Sequence, residues 1–358
     1  METKGLGVAV VGSGRIGTLR ASMAASHPAV QFLAVSDLDP TRAGDLAENV
    51  KADFSSGDNM DVIAHPDVNV VIVSTSEHEH FLPIKQALEL GKSVLVEKPI
   101  ALSLEEADKI VAMAEETGTL IRVGYAQRFK RRYLSAKEQI LKGMVGDILA
   151  MSGRMCNSRA QGIEILKRSP HATPVLDVLT YWVDMACWFM EGIRPVEVLA
   201  RGNGVIFKDA GFEADDTTWA IITFENGAGV NLGVFYALPS HYPALGQGVQ
   251  FEIYGTEGAL MMDDDHKDEL LISNKGIPHA YIPDLNFKTA FLSSSTPGNW
   301  YLGDYWGPVA DETRVWLDHL SKGRPCPMAT VQEARQTLEL TYAIEESAKT
   351  GAIIKLPQ

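Results

Sequence analysis

The sequence predicts an α/β protein in two parts. Residues 1–124 read as a doubly wound parallel sheet, and 125–358 as an α+β domain with a large, mostly antiparallel open sheet. Three observations predict this. Short apolar runs alternate with amphipathic helical stretches through the first third of the chain. Beyond Gly124 the pattern turns to longer runs of alternating apolar and polar residues. At 358 residues the chain is too long for one ordinary core.

The first strand is Gly7 to Val11. Gly12, Gly14 and Gly17 follow as GSGRIG and open a helix with Ile16, Leu19 and Met23 on one face. In that setting the first glycine permits the tight turn, the second lets backbone approach a pyrophosphate, and the third lets helix and strand pack closely. The helix N-terminus supplies amides and positive dipole. Phe32 to Ser36 is a second strand ending at Asp37, about 20 residues past the last glycine, where an acid holds ribose hydroxyls. A carboxylate there repels a 2′-phosphate, and Leu38 follows where an arginine would suit one, so NAD is favoured over NADP. Asp39 caps and Pro40 starts the next helix, which carries Arg42 on its solvent side.

Val70 to Ser74 is another buried strand, running through Thr75, Ser76, Glu77, His78, Glu79 and His80 into a helix that ends at Gly91. His78 and His80 are two apart and face different ways on a helix, with no HExxH spacing, so a metal site is not expected. The strand SVLVEKPI, Ser93 to Ile100, follows. Val94, Leu95 and Val96 read as fully buried, and Pro99 cannot donate to a ladder, so Glu97 and Lys98 fall at the carboxyl end. Ligands bind at that end of open α/β sheets, which makes Lys98 the first candidate for chemistry; an exposed ion pair is the plain alternative. Ser103 and Glu106 form a capping box before a helix with Ala107, Ile110, Val111 and Ala114 inward. Leu120 to Val123 is the fifth strand.

In the second part, Ile148–Asn157, Val196–Gly202, Thr217–Phe224, Gly229–Tyr236, Val249–Tyr254 and Glu269–Ser273 read as strands, with Asn226-Gly227 as a hairpin turn. Helices are predicted near Tyr133–Lys142 and over Val175–Met190, and again at Val331–Lys349 before a terminal strand, Gly351–Leu356. Trp300, Tyr301, Tyr305 and Trp306 cluster in a loop that reads as packed, with a lid or stacking wall as its functional alternative. A large sheet with helices on one side leaves the other face to be covered, and a homodimer or homotetramer through that face is expected.

Composition excludes several classes. Hydrophobic residues are 46% and charged residues 22%, as in ordinary globular proteins. A net charge of −14, from 32 basic against 46 acidic residues, disfavours nucleic acid, which requires a basic surface. Cys156, Cys187 and Cys326 are odd in number and lack metal-ligand spacing, so neither a disulfide framework nor zinc is implied. No leader-like segment or apolar run of about 18 residues stands out, and a cytoplasmic location without membrane partners is expected.

With these residues in view, the chain resembles the Gfo/Idh/MocA family of NAD(P)-dependent oxidoreductases. The resemblance rests on GSGRIG, on STSEHEH in the place of the family's ATPNxxH, on VLVEKPIALSLEEA, on GYAQRF, and on VLDVLTYWVDMACW for its LxDxGxHxxD segment. It implies a Rossmann domain, a substrate-binding and oligomerisation domain, and redox chemistry on a sugar, cyclitol or related alcohol. By the matching motifs, Gly12, Gly14, Arg15, Ile16, Gly17, Asp37, Ser74, Thr75, Ser76, His80, Glu97, Lys98 and Gln127 are implied at the cofactor. The family's catalytic lysine falls on Lys98 and its aspartate on Asp177, while its usual histidine falls on Tyr181. Leu179 replaces a glycine, and Ser76 and Glu77 replace Pro-Asn. Branches acting on pyranose sugars or aromatic dihydrodiols also look like this, with tyrosine at the histidine position.

Asp177 and Tyr181 are four apart on an expected helix and share a face, from which both can point at Lys98. A phenol ionises near pH 10, and a nearby ammonium and positive nicotinamide would lower that value. Tyr181 is therefore the expected base, aided by Lys98 and oriented by Asp177. Arg128 of GYAQRF is expected to help shape the domain junction and to contact substrate, and Asn157 and Arg159, after the first long strand, and Tyr236 are further candidate substrate contacts; His171 is a weaker one. Two other functions remain open at this point: a non-redox elimination that uses NAD transiently, and a dinucleotide-dependent sensor that binds without turnover.

Overall fold

The computed structural model describes residues 4–169, 172–240, 242, 248–263, 270–278, 286–291, 299–301 and 303–357. They fall into two compact units. One comprises residues 1–130 and 296–338, the other 131–295 and 339–358. Residues 296–338, which the sequence division assigns to the second part, thus belong with the first unit.

The first unit opens with β1 (Leu6–Val11), α1 (Arg15–Ser26), β2 (Val30–Ser36), α2 (Pro40–Val50), β3 (Phe54–Ser56) and α3 (Asn59–Ala64). It continues with β4 (Val70–Val73), α4 (Phe81–Glu89), β5 (Ser93–Glu97), α5 (Leu104–Thr117) and β6 (Ile121–Gly124). The six strands pair in parallel in the order β6-β5-β4-β1-β2-β3. The sequence shows five of them; β3 has three residues, too few for a period to register. Every residue of β1 and β4 is buried, as expected of parallel strands covered on both faces. The helix starts follow their caps: Thr41 N donates to Asp39 Oδ1 at 3.0 Å, and Glu106 N to Ser103 Oγ at 3.2 Å. Each such cap stabilises its helix by about 1 kcal/mol.

The second unit follows with α6 (Arg131–Leu141), β7 (Ile148–Ser158), α7 (Arg159–Arg168), a π-helical turn over Val175–Leu179, α8 (Thr180–Phe189), β8 (Pro195–Asn203) and α9 (Ile206–Asp209). Strands β9 (Thr217–Phe224), β10 (Gly229–Leu238), β11 (Gly248–Gly255) and β12 (Ala259–Asp263) lead to β13 (Leu270–Pro278) and β14 (Asn286–Phe291). The chain then gives β15 (Asn299–Tyr301), β16 (Asp304–Trp306), α10 (Pro308–Lys322) and β17 (Ala329–Thr330) to the first unit. It ends with α11 (Val331–Thr350) and β18 (Ile354–Lys355).

The large sheet runs β12-β11-β7-β10-β9-β8-β18, antiparallel except for the parallel pair β7 and β10. Its inner face carries Met151, Met155, Leu232, Val234, Phe251 and Ile253, against which Trp182 of α8 stacks at 5.7 Å from the Phe251 ring. Gly153 makes room for this: a Cβ there would lie 2.6 Å from Phe251 Cδ2. Its outer face exposes Leu149, Trp219, Ile221 and Met261. β13 pairs with β14 in a separate ribbon and not, as the sequence suggests, with the large sheet; Glu269 lies outside the described residues. Helix α7 is a second correction. No helix is predicted after the strand that ends at Asn157, but Ser158 caps one there, and because it buries only Gly162 and Leu166 its apolar stripe is too weak to read.

In the first unit, Trp316 and Leu317 of α10 complete the core formed by Val8, Val10 and Leu95, and β17 pairs antiparallel with β6. The aromatic loop is a hairpin, β15 with β16. Tyr305 is buried against Leu19, Ala126 and Val309, whereas Trp300 and Trp306 are exposed.

Candidate active site

The first unit's site begins at the end of β1. Gly12 has φ +95° and packs against the end of β4, where a Cβ would meet the Ser74 carbonyl at 2.7 Å. A Cβ on Gly17 would lie 1.8 Å from the Gly12 carbonyl oxygen, so the loop and helix close as tightly as glycine allows. Gly14, in contrast, faces open space and is followed by exposed Arg15 and half-buried Ile16. The N-terminus of α1 has no side-chain cap, which leaves its amides available to an anion. Asp37 stands at the end of β2 and also braces the loop: its Oδ2 accepts from Ser13 N at 2.9 Å and its Oδ1 from Asp39 N at 3.0 Å. The sequence offered no sign of that bracing. At the end of β4 the Ser74 and Thr75 hydroxyls are buried and find no protein partner. Two orphaned hydroxyls, an open loop edge and uncapped amides fit a dinucleotide.

His80 ties the ends of β4 and β5 together. Its ring is fully buried, with Nδ1 2.8 Å from the Pro99 carbonyl and Nε2 3.3 Å from that of Thr75. It therefore acts on the backbone beside Lys98, and Ser76 is exposed next to it. Burial outweighs those carbonyl contacts and holds the imidazole below its ordinary range. The unfolded chain protonates this ring near pH 6.5, while the folded chain resists, so stability is full above that pH and is lost as pH falls toward the folded value. His27, with Asp318 3.2 Å away, is shifted in the same direction by burial. The melting temperature is expected to fall between pH 7 and pH 5, and to fall less in His80→Asn, by thermal melts across that range.

Glu97 and Lys98 are half-buried at the end of β5. Glu97 meets a residue the sequence reading passed over. Arg20 of α1 is fully buried, donates from Nε to Glu97 Oε1 at 2.8 Å and from Nη2 to Glu312 Oε2 at 2.5 Å, and reaches Thr313 Oγ1 from Nη1 at 2.8 Å. Burial alone would favour the neutral guanidine, but the two carboxylates hold Arg20 above its ordinary value. Gln127 and Arg128 lie on a short 3₁₀ turn after β6, both buried. Arg128 pairs with Glu333 at 3.5 Å and donates to the Pro327 carbonyl, a setting inside the first unit.

In the second unit, Asp177 sits in the π-helical turn and Tyr181 in the first turn of α8. Both are half-buried, as is Thr173, while Val175, Leu176, Val178, Leu179, Thr180 and Trp182 are buried. The four-residue spacing thus leaves one polar stripe on an otherwise buried segment. Tyr236 of β10 donates to Asp177 Oδ2 at 3.3 Å. Asn157, on the inner face of β7, is fully buried with neither its amide nitrogen nor its oxygen bonded to protein. Arg159 instead turns to the end of β10, donating to the Ala237 carbonyl at 3.0 Å. His171 lies outside the described residues.

Residues 6–125 match the oxidoreductase family with an NAD-binding Rossmann fold, and residues 133–261 match the Gfo/Idh/MocA C-terminal domain. The scyllo-inositol 2-dehydrogenase (NAD(+)) of Bacillus subtilis is 30% identical over 97% of this chain and 95% of its own. The chain belongs to the Gfo/Idh/MocA family. The myo-inositol 2-dehydrogenase of Thermotoga maritima is 23% identical over 98% of each chain. Among solved structures, scyllo-inositol dehydrogenase from Lactobacillus casei with bound NAD(H) and scyllo-inositol has the same fold, with a TM-score of 0.77 at 19% identity over 98% of this chain and 99% of that one. Like other members, this protein is an NAD-dependent oxidoreductase. Among the described residues no helix is long and apolar enough to cross a membrane.

Proposed function

We propose that the protein oxidises a secondary alcohol of a cyclitol, sugar or related polyol. The polar stripe in the second unit carries this reading: Asp177 and Tyr181 on one helix face, Tyr236 bonded to Asp177, and an Asn157 amide with both ends unmatched. Such groups suit a ligand with several hydroxyls, since buried polar atoms that lack protein partners are matched by ligand or water. The inositol dehydrogenases among the relatives bear names that agree with it.

NAD supplies the hydride acceptor when bound. Tyr181 would take the proton of the substrate hydroxyl, so that with bound NAD accepting the hydride the net change would be alcohol and NAD+ to ketone, NADH and a proton. The Lys98 ammonium favours the phenolate form, and Asp177, held by Tyr236, orients the reacting hydroxyl. The discriminating experiment is net NADH formation across a panel of inositols, pyranose sugars and aromatic dihydrodiols. Substrate loss without net NADH would instead indicate elimination, and binding without turnover a sensor. The exposed outer face of the large sheet, with Trp219 and Ile221 side by side on β9, is proposed to be covered by a second copy of the chain. Trp219→Glu is then expected to give a smaller species by sedimentation at equal concentration.

A further inference from the structure

Helix α11 grips the π-helical turn of the second unit at both ends. Its Thr341 and Glu345 are four residues apart and so share a face. Thr341 donates to Thr180 Oγ1 at 3.3 Å, just after the turn, and both threonines are fully buried. Glu345 Oε1 accepts from the Thr173 hydroxyl, just before it. That hydroxyl in turn accepts from Leu176 N at 3.1 Å, and the Thr173 carbonyl accepts from Asp177 N at 2.8 Å. Glu345 therefore holds the residue from which the Asp177 turn starts. The helix itself is anchored, because Leu340 and Ile344 enter the core that also takes Val175, Val178 and Leu179.

A fixed start matters because the turn is irregular. The Thr180 N–H reaches back five residues to the Val175 carbonyl, so the turn holds one residue more than α-helical winding allows. Rewinding it as α-helix would rotate its two ends against each other by about 100°, one residue step. Asp177 lies between those ends, where its carboxylate meets the Tyr236 hydroxyl at 3.3 Å. Irregular backbone of this kind persists where its surroundings hold it in place. The half-buried Glu345 gives up hydration to do so: burial pushes its carboxyl above the ordinary range, against the effect of the Thr173 hydrogen bond. In either protonation state it keeps an oxygen for Thr173. We propose that Glu345 and Thr173, with Thr341 at the far end, are positioning residues that fix the π-helical winding and thereby aim Asp177 at the reacting hydroxyl.

The roles of Asp177 and Tyr181 are those proposed above, on which this inference rests, and two measurements tell the two apart. The first needs no substrate. Hydrogen exchange of the free enzyme over residues 175–181 is expected to be at least about threefold faster in Glu345→Leu than in wild type, and unchanged in Glu345→Gln, which keeps an oxygen for Thr173. The second is steady-state kinetics on whichever inositol, pyranose or dihydrodiol is oxidised fastest. Glu345→Leu and Thr173→Val are each expected to lower kcat about tenfold, with KM and the Kd for NAD+ within about threefold, while Glu345→Gln and Thr173→Ser stay within about twofold of wild type. In an Asp177→Ala background Glu345→Leu is expected to cost less than about twofold more, because the group it aims is already gone. General loosening of the unit would slow both backgrounds alike. Unchanged exchange in Glu345→Leu, a wild-type kcat in it, or an undiminished tenfold loss in the Asp177→Ala background overturns the proposal. Should circular dichroism show Glu345→Leu unfolded, Thr173→Val faces the same criteria from the other side of the bond. A wild-type kcat in Asp177→Ala would refute the role of Asp177 and this inference with it, whereas a slow Asp177→Ala enzyme beside a fast Glu345→Leu enzyme overturns this inference alone.

Discussion

Tyr181→Phe is expected to lower kcat by about 10²–10⁴-fold while leaving the affinity for NAD within a few fold, because the hydroxyl it removes is the proposed proton acceptor. Lys98→Ala is expected to lower kcat/KM by a similar factor. The two should not multiply: if Lys98 acts by favouring the phenolate, it has little left to act on once the phenol is gone. The double variant is expected to be no more than about tenfold slower than the slower single variant. Steady-state rates on the best substrate of the panel check this, and near wild-type rates in both single variants would refute the roles assigned to them. Asp177→Asn would add a partial loss, since Tyr236 could still bond to the amide oxygen.

Arg20→Ala should be the most damaging substitution to stability in the first unit. It removes the guanidinium that contacts both Glu97 and the fully buried Glu312. Breaking a buried pair in this way costs about 3–5 kcal/mol, which corresponds to a melting temperature lower by roughly 6–15 °C. Replacing Arg20 and Glu312 together by leucine should recover much of that loss, because both members of the fully buried pair are then gone. Thermal melts of the two variants decide the matter. Equal losses in both would mean that packing, not charge, dominates at this position.

Much of the first unit was legible because its signals are local. GSGRIG, Asp37 and SVLVEKPI each declare a strand end within a few residues, and the structure places Gly12, Asp37 and Lys98 at the carboxyl ends of β1, β2 and β5. Asp177 and Tyr181 were legible as a face because four residues make one helical turn. Arg20 was not, because in an amphipathic helix a lone arginine reads as solvated, and its partners lie 77 and 292 residues away in the chain. The contact between Tyr236 and Asp177 spans 59 residues and depends on sheet register, which no local pattern encodes. That residues 296–338 join the first unit was not legible for the same reason: α10 carries an ordinary apolar stripe that does not say which core it enters.

That return of residues 296–338 to the first unit governs how the chain can be made. During synthesis the six parallel strands emerge first, yet Trp316, Leu317 and the β17 edge that complete them follow only after six of the seven strands of the large sheet. Until then Arg20 has Glu97 but not Glu312, and one edge of the parallel sheet is open to pairing with another chain. The nucleotide-binding unit is therefore among the first to be translated and among the last to be finished. An N-terminal fragment cut at Gly124 would be a trapped intermediate, lacking the helix that closes its core.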